Sequence, residues 1–304
     1  IVSSMISDKG LEQVEQAMAH QVKQTSLPPN LADGSIERLP EGPGVYLFYE
    51  EKGNLLYVGK SINIRDRVRS HFYSVMKNDR EMQMAQQVCN IEHIETAGEI
   101  GALLREAELI KTRQPIFNRR LRRNGRLYTI YWDPETHHKP DIVEVQQLEA
   151  RAQANRYGLF RNRKNALDIL NKLAKDHRLC LKTVGMETGK GPCFGYQIKK
   201  CLGTCVGEES IEQHQLRLTT ALMPIRIQAW PYPGAIGIRE RHPSLDREEV
   251  HIIDHWLYLG SAVNEEEVHC LLEQQKPAFL DIDIYRILQK RLRKAADIIH
   301  LTGA

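Results

Sequence analysis

The chain has 304 residues, enough for about two domains, and is 41% hydrophobic and 27% charged, which excludes collagen-like, low-complexity and strongly acidic disordered classes. Its formal net charge of +3 conceals a division: residues 60–126 hold 14 Lys+Arg against 8 Asp+Glu (+6), residues 151–200 hold 12 against 3 (+9), and residues 1–59, 127–150 and 201–304 come to −4 each. Two basic blocks in a nearly neutral chain point to a polyanionic partner. No apolar run approaches the roughly 18–20 residues of a membrane span. Residues 1–10 lack the basic and apolar regions of a secretory signal. The expectation is a cytoplasmic protein with no membrane partner. Six cysteines are too few for a disulfide scaffold.

In chain order, residues 1–37 form a polar segment with one amphipathic helix near 11–22, broken at Leu27-Pro28-Pro29. Residues 44–50 (GVYLFYE) and 55–60 (LLYVGK) are β-branched and aromatic runs joined by a hairpin loop, Glu51-Lys52-Gly53-Asn54. Ser61 is the expected cap of a helix with Ile64, Val68 and Phe72 on its buried side. A second helix is expected over 97–114, with Ile100, Leu103, Leu104, Ala107 and Ile110 on one face and Pro115 ending it. Strands at 127–132 and 141–147 follow, making 127–150 a connecting pair. The basic block carries a helix at 165–175, and a Gly-rich stretch holds Cys180, Cys193, Cys201 and Cys205. Residues 211–304 read as a mixed α/β module, with strands at 235–239 and 250–259 and a terminal helix at 284–300.

Strand alternation puts Tyr46 and Phe48 on one face of the first run, and Leu55, Tyr57 and Gly59 together on the second. A hairpin then brings Tyr46 and Tyr57 onto one patch, where Gly59 permits close approach. Lys60 leaves the strand end, where it can lower a tyrosine's pKa or meet a phosphate. Asn63, Arg67 and His71 share one polar helical face. Six steps of about 100° put Glu106 at the border of its helix's apolar stripe, half-exposed beside the core. Asn118 follows the helix terminator.

These residues resemble the GIY-YIG nuclease family. Gly44-Val45-Tyr46 matches its first triplet and Tyr57-Val58-Gly59 its second. Lys60, Asn63-x-Arg65-x-Arg67, Leu104-Arg105-Glu106 and Asn118 fall where its motifs continue. The resemblance implies phosphodiester hydrolysis with one divalent ion, Mg²⁺ or Mn²⁺, held by Glu106 and water. It implies Tyr46 or Tyr57 as the base, Arg67 for phosphate charge, Asn118 for the metal shell or substrate, and His71 in a less defined place.

The cysteine spacing, Cys180-x12-Cys193-x7-Cys201-x3-Cys205, is neither a zinc ribbon's nor a bacterial ferredoxin's, and four thiolates can hold Zn²⁺ or an iron–sulfur cluster. Cys89 and Cys270 read as isolated buried residues. The text from Gly191-Pro192-Cys193-Phe194-Gly195-Tyr196 to Thr204-Cys205-Val206-Gly207 is similar to the cysteine segment of the bacterial UvrC repair nucleases, which implies a [4Fe–4S] cluster on the four cysteines. That likeness covers about 39–207. Residues 230–235 and 251–260 look like the tail of the short UvrC homologues. The expected class is α+β: a polar segment (1–37), a GIY-YIG nuclease domain (38–126) with a small sheet flanked by helices, the connecting pair (127–150), a basic four-cysteine domain (151–210) and a C-terminal module (211–304). The implied activity is one incision 3′ of a lesion in damaged double-stranded DNA, in nucleotide excision repair. UvrB is the implied partner, its contact placed in 208–304. The alternatives are a restriction or junction-resolving nuclease, and a non-catalytic iron–sulfur protein that binds DNA or senses redox state.

Overall fold

Apolar alternation on both sides of Gly53 folds the first pair of strands back on itself. In the computed structural model, which describes residues 28–73, 79–118, 126–145, 155–274, 280–293 and 297–301, β1 (Gly44–Tyr49) pairs antiparallel with β2 (Leu55–Ser61). The expected helix at 11–22 lies outside the described residues, as does the arginine-rich run at 119–123. A bulge beside Phe48 and Tyr49 pairs Phe48 with Tyr57 and Tyr49 with Leu55, leaving Leu56 as the extra residue. Leu55 therefore packs on the Val58 side, and not with Tyr57 as plain alternation predicts.

α1 (Ile64–Tyr73) buries Ile64, Val68 and Phe72 as expected. Its cap is Asn63 rather than Ser61: Asn63 Oδ1 accepts the Asp66 N–H at 3.0 Å, while Ser61 Oγ accepts the Asn63 N–H and closes the preceding turn. Ser61 stands too far back to reach the third helical amide. α2 (Asp79–Gln87) and β3 (Asn90–Glu95) have no counterpart in the sequence expectations. β3, with the polar sequence NIEHIE, pairs with β1 at the edge of a sheet ordered β2-β1-β3.

α3 (Glu99–Arg113) crosses this sheet, its Leu109 and Ile110 packing on Val45, Leu47 and Val58. On the sheet's other face lie Tyr46, Phe48, Leu56 and the buried side of α1. β4 (Leu127–Tyr131) and β5 (Asp141–Val145) do pair, but β6 (Arg156–Phe160) joins them in a sheet ordered β5-β4-β6. The stretch expected as a connector is thus hydrogen-bonded to the basic block. α4 (Arg163–Asp176) packs on this sheet through Ala166, Leu170 and Ala174, beyond it lies the one-turn α5 (Phe194–Gln197), and α6 (Ile211–Leu222) completes the same core with Leu218, Ala221 and Leu222.

β7 (Ile236–His242), β8 (Arg247–Asp254), β9 (Leu257–Ala262), α7 (Glu265–Glu273), α8 (Ile282–Leu292) and β10 (Ile298–His300) follow, with sheet order β10-β7-β8-β9. Two expectations change here. The run at 250–259 is two strands, because His255 and Trp256 take φ of 48° and 67° and reverse the chain. Such a turn usually carries Asn and Gly; here Trp256 is almost fully buried and donates its indole N–H to the Gln228 carbonyl at 2.9 Å, which holds the turn. The expected terminal helix starts at Ile282 and ends at Leu292, and Ile298–His300 extends as a strand along β7. Among the described residues no helix is long and apolar enough to cross a membrane.

α3 belongs to two cores. Its Leu104 and Ala107 face Ile236, Ile238, Ile253, Trp256 and Leu288 of the C-terminal module. Leu104 is fully buried there. Leu104→Ala is expected to cost about 2–5 kcal/mol, measured as a lower denaturation midpoint.

Candidate active site

Tyr46 is 1% exposed, and its ring lies over Gly59 of the paired strand. A Cβ at position 59 would fall 2.3 Å from the Tyr46 hydroxyl oxygen, so only glycine fits. The close approach foreseen for Gly59 is thus filled by Tyr46 itself. The Tyr46 hydroxyl stands 2.7 Å from His71 Nε2. The Tyr57 ring lies 6.1 Å from that of Tyr46 and 5.6 Å from that of His71. The hairpin brings Tyr46 and Tyr57 together, as strand alternation predicts, and α1 sets His71 beside them.

Electrostatics distinguish these groups. Burial, with Arg67 nearby, lowers His71 to about 4, so the ring is neutral near pH 7. Burial pushes Tyr46 well above the ordinary phenol range; Tyr57 adds to this, and the charge and hydrogen bond of Arg67 oppose it. Tyr57 is also raised, by burial and then by Glu106, against Arg67 and a hydrogen bond with Tyr46. The expected lowering of a tyrosine by neighbouring cations is outweighed by desolvation. Burial raises Glu106 to about 7 despite the Lys60 charge, the Lys60 main-chain N–H and Arg67. Glu106 enters none of the ion pairs among the described residues.

Lys60 and Asn118 have protein partners that the sequence does not indicate. Lys60 Nζ pairs with Glu99 Oε1 at 3.1 Å, and the other Glu99 oxygen pairs with Arg291 of α8. The ammonium thus acts on carboxylates and not on a tyrosine. Asn118 Oδ1 accepts the Val58 N–H at 2.9 Å and its Nδ2 donates to the Val58 carbonyl at 2.8 Å. That amide clamps β2 between Tyr57 and Gly59, where the sequence places it in the metal shell or on substrate. Of the polar face of α1, Asn63 is engaged in the cap, and Arg67 is exposed. Arg65 ties back to the Leu39 carbonyl at 2.7 Å and to Glu41. Glu99 was not foreseen, since nothing in its spacing links it to Lys60.

A second site lies about 70 residues on. The Sγ atoms of Cys180, Cys193, Cys201 and Cys205 are all within 4.8 Å of one another. Main-chain N–H groups of Cys193, Tyr196 and Gly203 point to Sγ of Cys205, Cys193 and Cys201 at 3.3–3.4 Å. Burial alone would raise Cys180, but hydrogen bonds from Thr183 and the Lys182 N–H bring it to about 7. Buried His214 on α6 accepts the Cys180 N–H through Nε2 at 3.0 Å, fixing the start of the loop. Four convergent sulfurs with N–H donors around them suit a soft metal group. Cys89 and Cys270 stand apart, and they are half-buried and exposed, not buried as expected.

Three successive segments of the chain match known domains. Residues 42–119 match the UvrC-like GIY-YIG domain, 128–224 the UvrC/Cho excinuclease middle domain, and 235–304 the excinuclease Cho C-terminal domain. Excinuclease Cho of Escherichia coli K12 is 42% identical over 260 residues, spanning 84% of each chain, and that of Shigella flexneri agrees to the same extent. The chain belongs to the excinuclease Cho family. UvrABC system protein C of Rhizobium johnstonii is 34% identical over 177 residues, 58% of this chain and 26% of that one. The magnesium-bound GIY-YIG N-terminal endonuclease domain of UvrC from Thermotoga maritima is 31% identical, covering 28% of this chain and 91% of that one at a TM-score of 0.26. Membership makes the chain an α+β enzyme, a DNA endonuclease with a GIY-YIG nuclease domain, and sets aside the restriction-type and non-catalytic readings.

A cation held by Glu106, as the GIY-YIG resemblance implies, would bind only after the proton leaves. With the carboxyl at about 7, the metal dissociation constant should rise about tenfold for each pH unit below 7 and level off above it. Mn²⁺ titration of the DNA-free protein from pH 5.5 to 8.5 checks the sign and the midpoint.

Proposed function

We propose that this endonuclease makes one incision on the 3′ side of a lesion in damaged duplex DNA, in nucleotide excision repair and with UvrB as partner. The observation carrying this reading is the convergence of Tyr46, Tyr57, His71, Arg67 and Glu106. Glu106 fits a divalent ion: its carboxyl is desolvated, raised and free of any ion pair among the described residues. Bound there, Mg²⁺ or Mn²⁺ supplies charge to neutralise the scissile phosphate. Arg67, exposed and permanently cationic, stabilises the equatorial oxygens. Tyr46 is sealed in, so the half-buried Tyr57 is the phenol that attacking water can reach. Tyr57 passes its proton to the Tyr46 oxygen and Tyr46 passes its own to His71 Nε2, as Tyr57 takes one from water. Lys60 tunes Glu106, and Asn118 holds β2 in register.

The four-cysteine loop presents DNA with a second surface. Lys190, Lys199 and Lys200 are exposed and enter no ion pair among the described residues, and the apolar Phe194 and Ile198 are 59% and 45% exposed beside them. The four cysteines hold the [4Fe–4S] cluster that the UvrC likeness implies. Zn²⁺ is the second reading, because the sulfur–sulfur edge of a tetrahedral zinc tetrathiolate, about 3.8 Å, falls within the 4.8 Å spread of the sulfurs. Iron and sulfide content with visible absorbance after anaerobic purification separates the two. The C-terminal module, net negative in sequence, is the surface for UvrB.

Two experiments test this. On a 5′-labelled duplex with one defined lesion, with and without UvrB, incision should depend on Mg²⁺ or Mn²⁺ and fall by about 10²-fold or more in Glu106→Ala; cutting that persists removes Glu106 as the ligand. Lys199→Ala with Lys200→Ala should weaken binding to all duplexes and reduce the salt slope of log K by about 2, leaving the metal requirement intact.

A further inference from the structure

α3 carries Glu106, yet no side chain of its own segment caps it. The N–H groups of Ile100 and Gly101 are instead accepted by the two oxygens of Glu240, at 2.8 and 2.9 Å. Glu240 lies on β7, some 140 residues away in sequence. Two glycines make room, one for Glu240 and one for its neighbours Glu249 and His251. A Cβ at position 98 would fall 2.3 Å from the Glu240 carboxyl carbon, and one at 101 would fall 2.8 Å from Glu249 Oε2 and 3.0 Å from His251 Cε1. The carboxylate is held in turn. Fully buried His251 donates from Nε2 to Glu240 Oε2 at 3.1 Å, its Nδ1 is 2.8 Å from Ser261 Oγ, and that oxygen is 2.6 Å from the Tyr258 hydroxyl.

Two more ties pin α3 to the same module. Arg291 of α8 pairs with Glu99 in the first turn, and Lys111 in the last turn pairs with Asp281 and Asp283 at the start of α8. The helix is therefore fixed along its axis by charged contacts at both ends and across it by Leu104 and Ala107. Glu106 stands about five residues beyond the capped amides, roughly 7.5 Å along the axis. Any slide or rotation of the first turn moves its carboxyl relative to Tyr57 and the Lys60 N–H. An ion held by one protein carboxylate has no other protein ligand to correct such a shift.

We propose that Glu240 is a positioning residue of the nuclease centre: the C-terminal module supplies the anionic cap that sets where the metal-binding carboxylate of Glu106 stands. The inference rests on the reading of Glu106 as the metal ligand. Hence the module is part of the catalytic unit, besides being a surface for a partner.

The test uses the full chain and Mn²⁺ binding measured by calorimetry without DNA, beside the metal dependence of incision. Glu240→Gln keeps an acceptor and loses the charge; Gly98→Ala leaves Glu240 in place and drives a Cβ into it. Both should weaken Mn²⁺ binding at least threefold and raise the half-saturating metal concentration for incision in parallel, with excess metal restoring the rate. Ile130→Val, a fully buried trim in β4 within the separate core of the middle sheet, should lower thermal stability and leave Mn²⁺ affinity unchanged. If Glu240→Gln and Gly98→Ala lose stability only and bind Mn²⁺ as the parent does, Glu240 is a structural cap and the proposal is overturned. If Glu106→Ala binds Mn²⁺ as tightly as the parent, it is the underlying metal reading that fails.

Discussion

The burial of α3 on two opposite sides is the constraint on which the rest of the molecule depends. Leu109 and Ile110 face the nuclease sheet, and Leu104 and Ala107 face the C-terminal core. A 15-residue helix with an apolar stripe that wide cannot satisfy it against one partner alone. By helical phase Glu106 falls between Leu109 and Ile110, on the side that faces the nuclease sheet. The same packing that stabilises the helix thereby places a carboxyl in a desolvated seam.

That seam explains the chemistry's resting state. Tyr46, Tyr57, His71 and Glu106 are all shifted toward their neutral forms, and in each case burial is the leading cause. Arg67 opposes the shift of both tyrosines and of Glu106, and reinforces that of His71. A site of such groups around one exposed guanidinium suits the two arrivals proposed for it, a cation and a phosphate. Its geometry is set beforehand by contacts that involve neither: the Tyr46 ring on Gly59, the Asn118 clamp on Val58, and the Glu240 cap on α3.

The four-cysteine loop follows a different logic. It has little apolar core of its own, and its carbonyls and amides turn on left-handed residues such as Gly203, Gly207 and Lys199. Sulfur-directed N–H groups and His214 organise it around the four thiols. The surface it displays is cationic and partly apolar, in contrast to the ion-paired module after it.

Sequence alone determined what local patterning encodes. The GVY and YVG runs, the buried spacing of α1, the face of α3 and the four cysteines could be read directly, because alternation, helical period and residue chemistry are properties of neighbours in the chain. The candidate residues Tyr46, Tyr57, Arg67, His71 and Glu106 came with them, since two short strands and two helices carry them in fixed phase. Tertiary structure decided everything whose partner is distant. The polar β3 is a strand only because β1 offers it hydrogen bonds, Ile298–His300 is one only beside β7, and the turn at His255 and Trp256 holds only because the Trp256 indole finds the Gln228 carbonyl. Both ends of the Asn118 amide bond to Val58 and the Lys60 ammonium pairs with Glu99, partners that no local pattern indicates. Glu240 has no local sign at all, because a cap delivered from another domain leaves only two glycines, 98 and 101, at the place where it lands.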